Sequence, residues 1–400
     1  MGKGPTLLNF DAFSKSTDDS RIKTTSGGIL TLICFITTFI LLLNEYSDYK
    51  RVVTRPELVV DRDRNKKLDI NLDVTFPNMP CDMLSLDIMD LTGDIQIDLL
   101  TSGFTKIRLD RDGREIGEET MDVNEGVELI STDPNYCGSC YGSIDQANNE
   151  NLPLEQRRCC NSCRAVRTAY AQVGWKFYDG KDIEQCEKEG YVQKINDRIN
   201  EGCRVKGTGQ INRIGGNVHF APGASITAQD KHVHDLSLYD KFSDKFNFQH
   251  KVNHFSFGTD NHLTNEYVST HPLDGRESTV AEKYQLYSYF LKVVNTRYEF
   301  LDGSIVNTNQ FSASEHDRPL QGGRDDDHPN TIHARGGLPG VFFHFDISPM
   351  KIINREQYNK TWSAFMLGAC AAIGGVLTVA SVLDRTIWKV NKMLKDKKDT

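Results

Sequence analysis

The 400-residue chain has no excess of positive charge: 47 Lys and Arg stand against 55 Asp and Glu, a formal net charge of −8. That balance excludes the basic footprint of a nucleic-acid-binding domain. No HExxH pair, phosphate-cradling glycine loop or Ser/His/Asp constellation occurs, so no catalytic residue, cofactor or metal ligand is assigned. No internal repeat is present. Aromatic residues, at 9%, are too frequent for a disordered chain. Ten cysteines are too few for a disulfide mini-protein and too clustered to be incidental. The mean hydropathy of −0.47 reads as soluble. That average conceals two stretches that lack charge altogether.

Thr24–Asn44 and Thr361–Leu383 carry no charged residue. Each is long enough to cross ~30 Å of hydrocarbon as a helix. The first is read as an uncleaved anchor rather than a signal peptide, because no small-x-small cleavage site follows it and Asp11, Asp18 and Asp19 precede it. The expected organisation is a two-pass membrane protein: a tail over 1–23, a span over 24–44, a large domain over 45–360, a span over 361–383 and a tail over 384–400. The two tails hold ten Lys and Arg in 40 positions, about twice the density of the middle. The positive-inside rule therefore puts both tails in the cytosol and the middle in a lumen. Small residues recur every four positions in the second span (Ala364, Gly368, Ala372, and Ala371, Gly375), a pattern that permits close helix contact.

The middle is read as mainly β. Leu68, Ile70, Leu72, Val74 and Phe76 alternate with Asp69, Asn71, Asp73 and Thr75, the period of a strand with one wet face. Leu84, Leu86 and Ile88 begin another strand, and Val341, Phe343, Phe345 and Ile347 alternate in the same way. Residues 213–220, 250–258, 284–300 and 305–313 are also β-rich, and the Gly/Pro/Asn punctuation suggests an antiparallel β-sandwich. One insert, about 134–203, differs. Val166, Ala169, Tyr170 and Val173 fall at i, i+3, i+4, i+7, a helical period, and two short helices are expected over 182–189 and 191–201. The polar, Gly-rich stretch 314–336 is expected to be a loop.

Cys34 and Cys370 lie in the spans. The other eight are Cys81, Cys137, Cys140, Cys159, Cys160, Cys163, Cys186 and Cys203, five of them in CGSC (137–140) and CCNSC (159–163). An oxidising lumen favours structural disulfides. Two alternatives stay open: a zinc site of CxxC type, and a redox-active thiol pair, whose thiolates Arg157, Arg158 and Arg164 would favour. Spacing does not choose the pairing. Such a stapled insert beside a sandwich with its own core reads as a disulfide-held binding element rather than a requirement of the fold. At the end of the chain, Lys397 and Lys398 fit a dilysine signal read by the COPI coat.

The chain resembles the ER–Golgi intermediate compartment (Erv) family of vesicle membrane proteins, and within it the larger, cysteine-rich subunit of a two-subunit receptor. The resemblance rests on Phe10-Asp11-Ala12-Phe13, Arg21-Ile22-Lys23-Thr24 and Gly27-Gly28, on Phe76-Pro77-Asn78-Met79-Pro80-Cys81, on the CxxC and CCxxC pair, and on Gly174-Trp175. It continues through His219-Phe220-Ala221-Pro222-Gly223, His232-Val233-His234-Asp235-Leu236, Asn309-Gln310-Phe311-Ser312, Gly337-Leu338-Pro339-Gly340-Val341, Ser348-Pro349-Met350 and Gly374-Gly375. It implies a non-enzymatic cargo receptor that partners a smaller paralogue, travels in COPI and COPII vesicles, and retrieves escaped ER residents from the acidic early Golgi. It also implies residence in the membranes of the ER, the intermediate compartment and the cis-Golgi. A lumenal thiol–disulfide oxidoreductase working through Cys137/Cys140 or Cys160/Cys163 is the alternative. Such a cycle needs a group that titrates near neutrality, and histidine is the natural one. All eleven histidines lie within 45–360, and His219, His232, His234, His250 and His254 are the switch candidates.

Overall fold

The computed structural model describes residues 25–62, 67–91, 93, 103–120, 136–144, 149, 151–153, 156–223, 225–228, 231–242, 245–258, 271–278, 282–323, 332 and 334–396. They fall into two compact units. One contains the helices near the two ends together with Glu299–Ser304; the other comprises Pro56–Tyr298 and Ile305–Asn354.

In the first unit, α1 (Thr25–Lys50) and α6 (Trp362–Asp396) grow from the two uncharged runs. Each runs past the stretch expected from charge alone, because no Gly or Pro stops α1 after Asn44 or α6 after Leu383. Gly27–Lys50 and Trp362–Asn391 are long and apolar enough to cross a membrane, and large apolar side chains such as Phe35 and Leu367 stand exposed on them. The helices meet through Tyr46, Tyr49 and Phe365, with Tyr49 and Phe365 ring centroids 5.2 Å apart. Lys360 Nζ lies 2.7 Å from Glu45 Oε1. Gly368, one of the small residues at four-residue spacing, lets that Glu45 carboxylate lie against the helix; a Cβ there would make the carboxylate shift.

The second unit is a β-sandwich. Its strands are β1 (Val52–Val60), β2 (Leu68–Phe76), β3 (Leu84–Asp90), β4 (Phe104–Leu109), β5 (Glu115–Thr120), β6 (Gly202–Ile211), β7 (Gly216–Pro222), β8 (Ser225–Ala228), β9 (Lys231–His234), β10 (Lys251–Phe257), β11 (Gln285–Glu299), β12 (Ile305–Pro319) and β13 (Gly340–Tyr358). One sheet runs β12-β11-β13-β7-β3, with β1 also on β13; the other runs β10-β2-β6-β4-β5; β8 and β9 form a separate hairpin. The β2–β6 pairing is antiparallel and unbroken from Leu68↔Ile211 to Phe76↔Cys203. The alternating residues of β2 do what their period dictates: Ile70, Leu72, Val74 and Phe76 are buried. Phe76 meets Phe220 of the opposite sheet at 4.9 Å, and Phe255 meets Phe343 at 4.8 Å, so the two inner faces share one core. The other face of β2 is drier than its sequence suggests. Asp73 is buried and held by Arg204 at 2.6 Å, and Asn71 donates to Ser256 Oγ at 3.0 Å.

The insert carries α2 (Cys163–Gln172), α3 (Glu184–Lys188) and α4 (Tyr191–Arg198), and α5 (Ser237–Lys241) follows β9. Ser162 caps α2 by accepting from Ala165 N at 3.1 Å. The stretch expected to be a loop over 314–336 is corrected at its start: β12 continues to Pro319. Strands β1, β4, β5, β6, β8 and β9 were not expected. Arg55 and Pro56 interrupt the first, Lys, Arg and Glu break the alternation of β4 and β5, and Gly202, Gly207 and Gly209 dilute β6.

Candidate functional site

All eight cysteines of the second unit are paired: Cys81–Cys203, Cys137–Cys159, Cys140–Cys160 and Cys163–Cys186. Neither CxxC closes on itself. Each motif instead sends its two sulfurs to different partners, so the intramotif disulfide that a thiol–disulfide oxidoreductase would use is not formed. Cys34 and Cys370 are unpaired. The CGSC turn fits its place for a steric reason: a Cβ on Gly138 would collide with the Cys160 carbonyl oxygen, and Gly138 N donates to Asn161 Oδ1 at 2.8 Å.

Cys140, Cys160, Cys163 and Cys186 are buried with Val166, Ala169, Phe177 and Ile183 in a small core of the insert's own. Around that core the insert shows apolar surface: Val173, Trp175 and Tyr178 are each about half exposed. A depression of about 530 Å³ is lined by Tyr141, Tyr170, Phe177 and Tyr178 together with Lys176 and Lys181. Another, of about 410 Å³, lies over Cys137–Cys140 beside Arg157 and Arg158. Ion pairs join the insert to the sandwich. Arg198 on α4 reaches Asp82 at 3.0 Å and Glu119 at 2.6 Å, and Arg167 on α2 reaches Asp235 at 3.3 Å.

The histidines separate into three environments. His250 is buried among Phe76, Tyr287 and Tyr289, with its Nε2 2.8 Å from Tyr289 Oη and its Nδ1 2.9 Å from the Phe248 carbonyl. Burial pushes it down to about 4, although the Phe248 carbonyl pulls the other way. His254 is partly exposed; its Nδ1 is 2.8 Å from Asp274 Oδ2 and its Nε2 3.0 Å from Ser256 Oγ.

His219, His232 and His234 come together. His219 sits on the outward row of the first sheet, where register places it opposite Asp87 of β3 and Phe342 of β13. Its neighbours Val218 and Phe220 point into the core. His232 and His234, two apart on β9, share one face of the hairpin strand. The His234 Nε2 lies 2.9 Å from His232 Nε2 and 3.3 Å from His219 Nε2, and Asp87 Oδ2 lies 3.4–3.8 Å from all three. Burial pushes His219 and His234 to about 4 against the pull of the Asp87 carboxylate. Burial also opposes the charge of Asp87, but the three imidazoles outweigh it and hold the carboxyl below its usual value. Asp87 was missed from sequence, since nothing in Leu84–Asp90 marks it; His219, His232 and His234 are all among the histidines named as switch candidates. His262 and the dilysine residues Lys397 and Lys398 lie outside the described residues.

Residues 140–384 match the family described as "Endoplasmic reticulum vesicle transporter", and residues 7–97 match "Endoplasmic Reticulum-Golgi Intermediate Compartment (ERGIC)". The chain is 51% identical to "ER-derived vesicles protein ERV46" of Saccharomyces cerevisiae, over 99% of each chain. The chain belongs to this Erv/ERGIC family. It is also 38% identical to "Probable endoplasmic reticulum-Golgi intermediate compartment protein 3" of Dictyostelium discoideum, over 98% of this chain and 97% of that one. Among solved structures it is similar to "Crystal Structure of Erv41p", at 19% identity and a TM-score of 0.38, over 75% of this chain and 99% of that chain. The Erv/ERGIC assignment places the chain among proteins of ER–Golgi vesicle transport. It takes in the cysteine insert, both sheets and both terminal helices.

Proposed function

We propose that this protein is a membrane-embedded cargo receptor that cycles between the ER and the Golgi. It takes up escaped ER-resident proteins in the acidic early Golgi, returns in COPI vesicles and releases them in the near-neutral ER. In this reading α1 and α6 span the bilayer, both ends are cytosolic, the sandwich and insert are lumenal, and Lys397 and Lys398 address the COPI coat. A smaller Erv-family paralogue completes a hetero-oligomer, and outward travel uses COPII.

The observation that carries the reading is the insert surface. Three disulfides and a small core hold Val173, Trp175 and Tyr178 about half in the open, where apolar side chains suit a protein partner. Pairing of all eight cysteines suits an oxidising lumen. His219, His234 and His250, held near 4, stay neutral in both compartments. That leaves His232 and His254 among the switch candidates, and His254 is the more exposed, facing the Asp274 carboxylate and the His271 ring 4.8 Å away.

The test is co-purification of ER-resident cargo with the full-length receptor at mildly acidic and at neutral pH, for the wild type and for Trp175→Ala with Tyr178→Ala. The expected result is more cargo at acidic pH and its loss in the double variant, with the disulfides intact. Equal capture by the variant would sink the assignment of this surface.

A further inference from the structure

We infer that Asp87, His219, His232 and His234 form a structural zinc site. Its donor set, three imidazole Nε2 atoms and one carboxylate oxygen, comes from three elements: β3, β7 and hairpin strand β9. The four donor atoms lie within 4.8 Å of one another. A tetrahedral zinc with ligands at ~2.0–2.1 Å has donor–donor edges of about 3.3 Å. The measured edges to His234 Nε2 are 2.9 and 3.3 Å, and those to Asp87 Oδ2 are 3.4, 3.5 and 3.8 Å. Side-chain exposure is 2–4% for Asp87, His219 and His234 and 12% for His232, so the centre is closed to bulk water.

The hydrogen bonds behind the rings set their tautomers. His219 Nδ1 lies 2.8 Å from Asn217 Oδ1, an acceptor, so Nδ1 carries the proton. Ser85 Oγ donates its own hydrogen to the Ala221 carbonyl at 3.0 Å and therefore accepts from His234 Nδ1 at 3.2 Å. Both Nε2 atoms are then bare lone pairs, facing each other at 3.3 Å with no proton between them. His232 can place at most one N–H into the cluster. Asp87 Oδ2 has no hydrogen-bond partner, and neither has His232 Nδ1. A buried carboxylate oxygen and two opposed lone pairs without a cation are a costly arrangement; a divalent ion at their centre satisfies all of them at once. Phe342 stacks on His219 at 4.9 Å with a 6° interplanar angle, which fixes that ring in the ligating orientation.

The second His/Asp group, His254, His271 and Asp274, offers three donors rather than four and shares only an unpartnered ring nitrogen, His271 Nδ1. Asp274 spends one oxygen on the Phe255 amide at 2.9 Å and the other on His254, and His254 uses its Nε2 on Ser256. It serves as the control.

The consequence is mechanical. Hairpin β8–β9 belongs to neither large sheet. The metal would pin its second strand to β3 and β7, and so hold the next residue, Asp235, where it accepts from Arg167 of the insert.

The test uses the full-length chain in detergent under non-reducing conditions, stripped with chelator and then loaded with Zn²⁺ or Co²⁺ alone. Wild type is expected to retain about one equivalent of zinc after dialysis. It should also give the visible d–d absorption of tetrahedral Co²⁺ without a thiolate charge-transfer band. Asp87→Asn and His234→Ala should fall to background, and His254→Ala should bind as wild type. Ser85→Ala changes no ligand and should weaken binding about 10–100-fold. That variant keeps the proposal testable if His234→Ala does not fold. Zinc at background in the wild type, a thiolate cobalt spectrum, or wild-type affinity in both Ser85→Ala and Asp87→Asn would each overturn it.

Discussion

The sandwich and the insert are ordered by different means. The sandwich buries two facing rows of aromatic and branched side chains, from Ile70, Val74 and Phe76 on one sheet to Phe220, Val293 and Phe343 on the other. Among the described residues the insert's core has eight buried members, and four of them are half-cystines. A core so small cannot outweigh the entropy of ordering its chain, and closing its loops covalently supplies the difference. The comparison teaches that surface chemistry and stability are separated in the insert. Covalent bonds hold it, and Trp175 and Tyr178 each leave about half of their surface facing outward. In the sandwich nearly every large aromatic ring is committed to packing.

Three perturbations test that contrast. The largest effect is expected in the sandwich. Phe343 is fully buried against Phe255, Tyr289 and Phe220, and Phe343→Ala should cost about 4 kcal/mol and lower the unfolding midpoint of the whole second unit. Chemical denaturation followed by intrinsic fluorescence measures it, and a loss confined to the insert would break the distinction. Next, Cys163→Ser with Cys186→Ser opens a loop with a sequence separation of 23 and should cost about 3 kcal/mol. Here the effect should be local: amide exchange accelerates across α2–α4 while β2 and β6 keep their protection. The smallest effect is pH-dependent. His250 is held at about 4 when folded, against an ordinary imidazole value of 6.5. Below pH ~6.5 the unfolded state binds the extra proton, so stability falls as pH falls through the interval from ~6.5 to ~4 and is flat above it. At pH ~5 this single group removes about 2 kcal/mol. His250→Phe should make that part of the stability–pH curve shallower, with His219 and His234 supplying the rest of its slope, and an unchanged slope would show that burial of His250 does not contribute.

Much of this contrast was legible in the chain itself. Period-two runs such as 68–76 became inner-face strands, and Val166, Ala169 and Tyr170 marked the helix that begins at Cys163. Strands β4 and β5 escaped notice because their charged residues, Lys106, Arg108 and Glu115–Glu119, are stabilised by partners far off in sequence, such as Glu201 for Arg108 at 2.5 Å. The pairing of the cysteines depends on how the CGSC and CCNSC segments lie side by side, which spacing does not encode. The histidine cluster was half visible. His232 and His234 declared themselves by alternation, but Asp87 joins them only through the β3–β7 register.

The Cys81–Cys203 bond has a further consequence. It joins the start of β3's approach to the start of β6, and so turns residues 81–203 into a covalent ring that contains the other three disulfides. A protease that cuts once anywhere inside that ring opens it without dividing the molecule. The nicked chain migrates as one species until it is reduced, and a chain cleaved in its insert stays joined to both of its terminal helices.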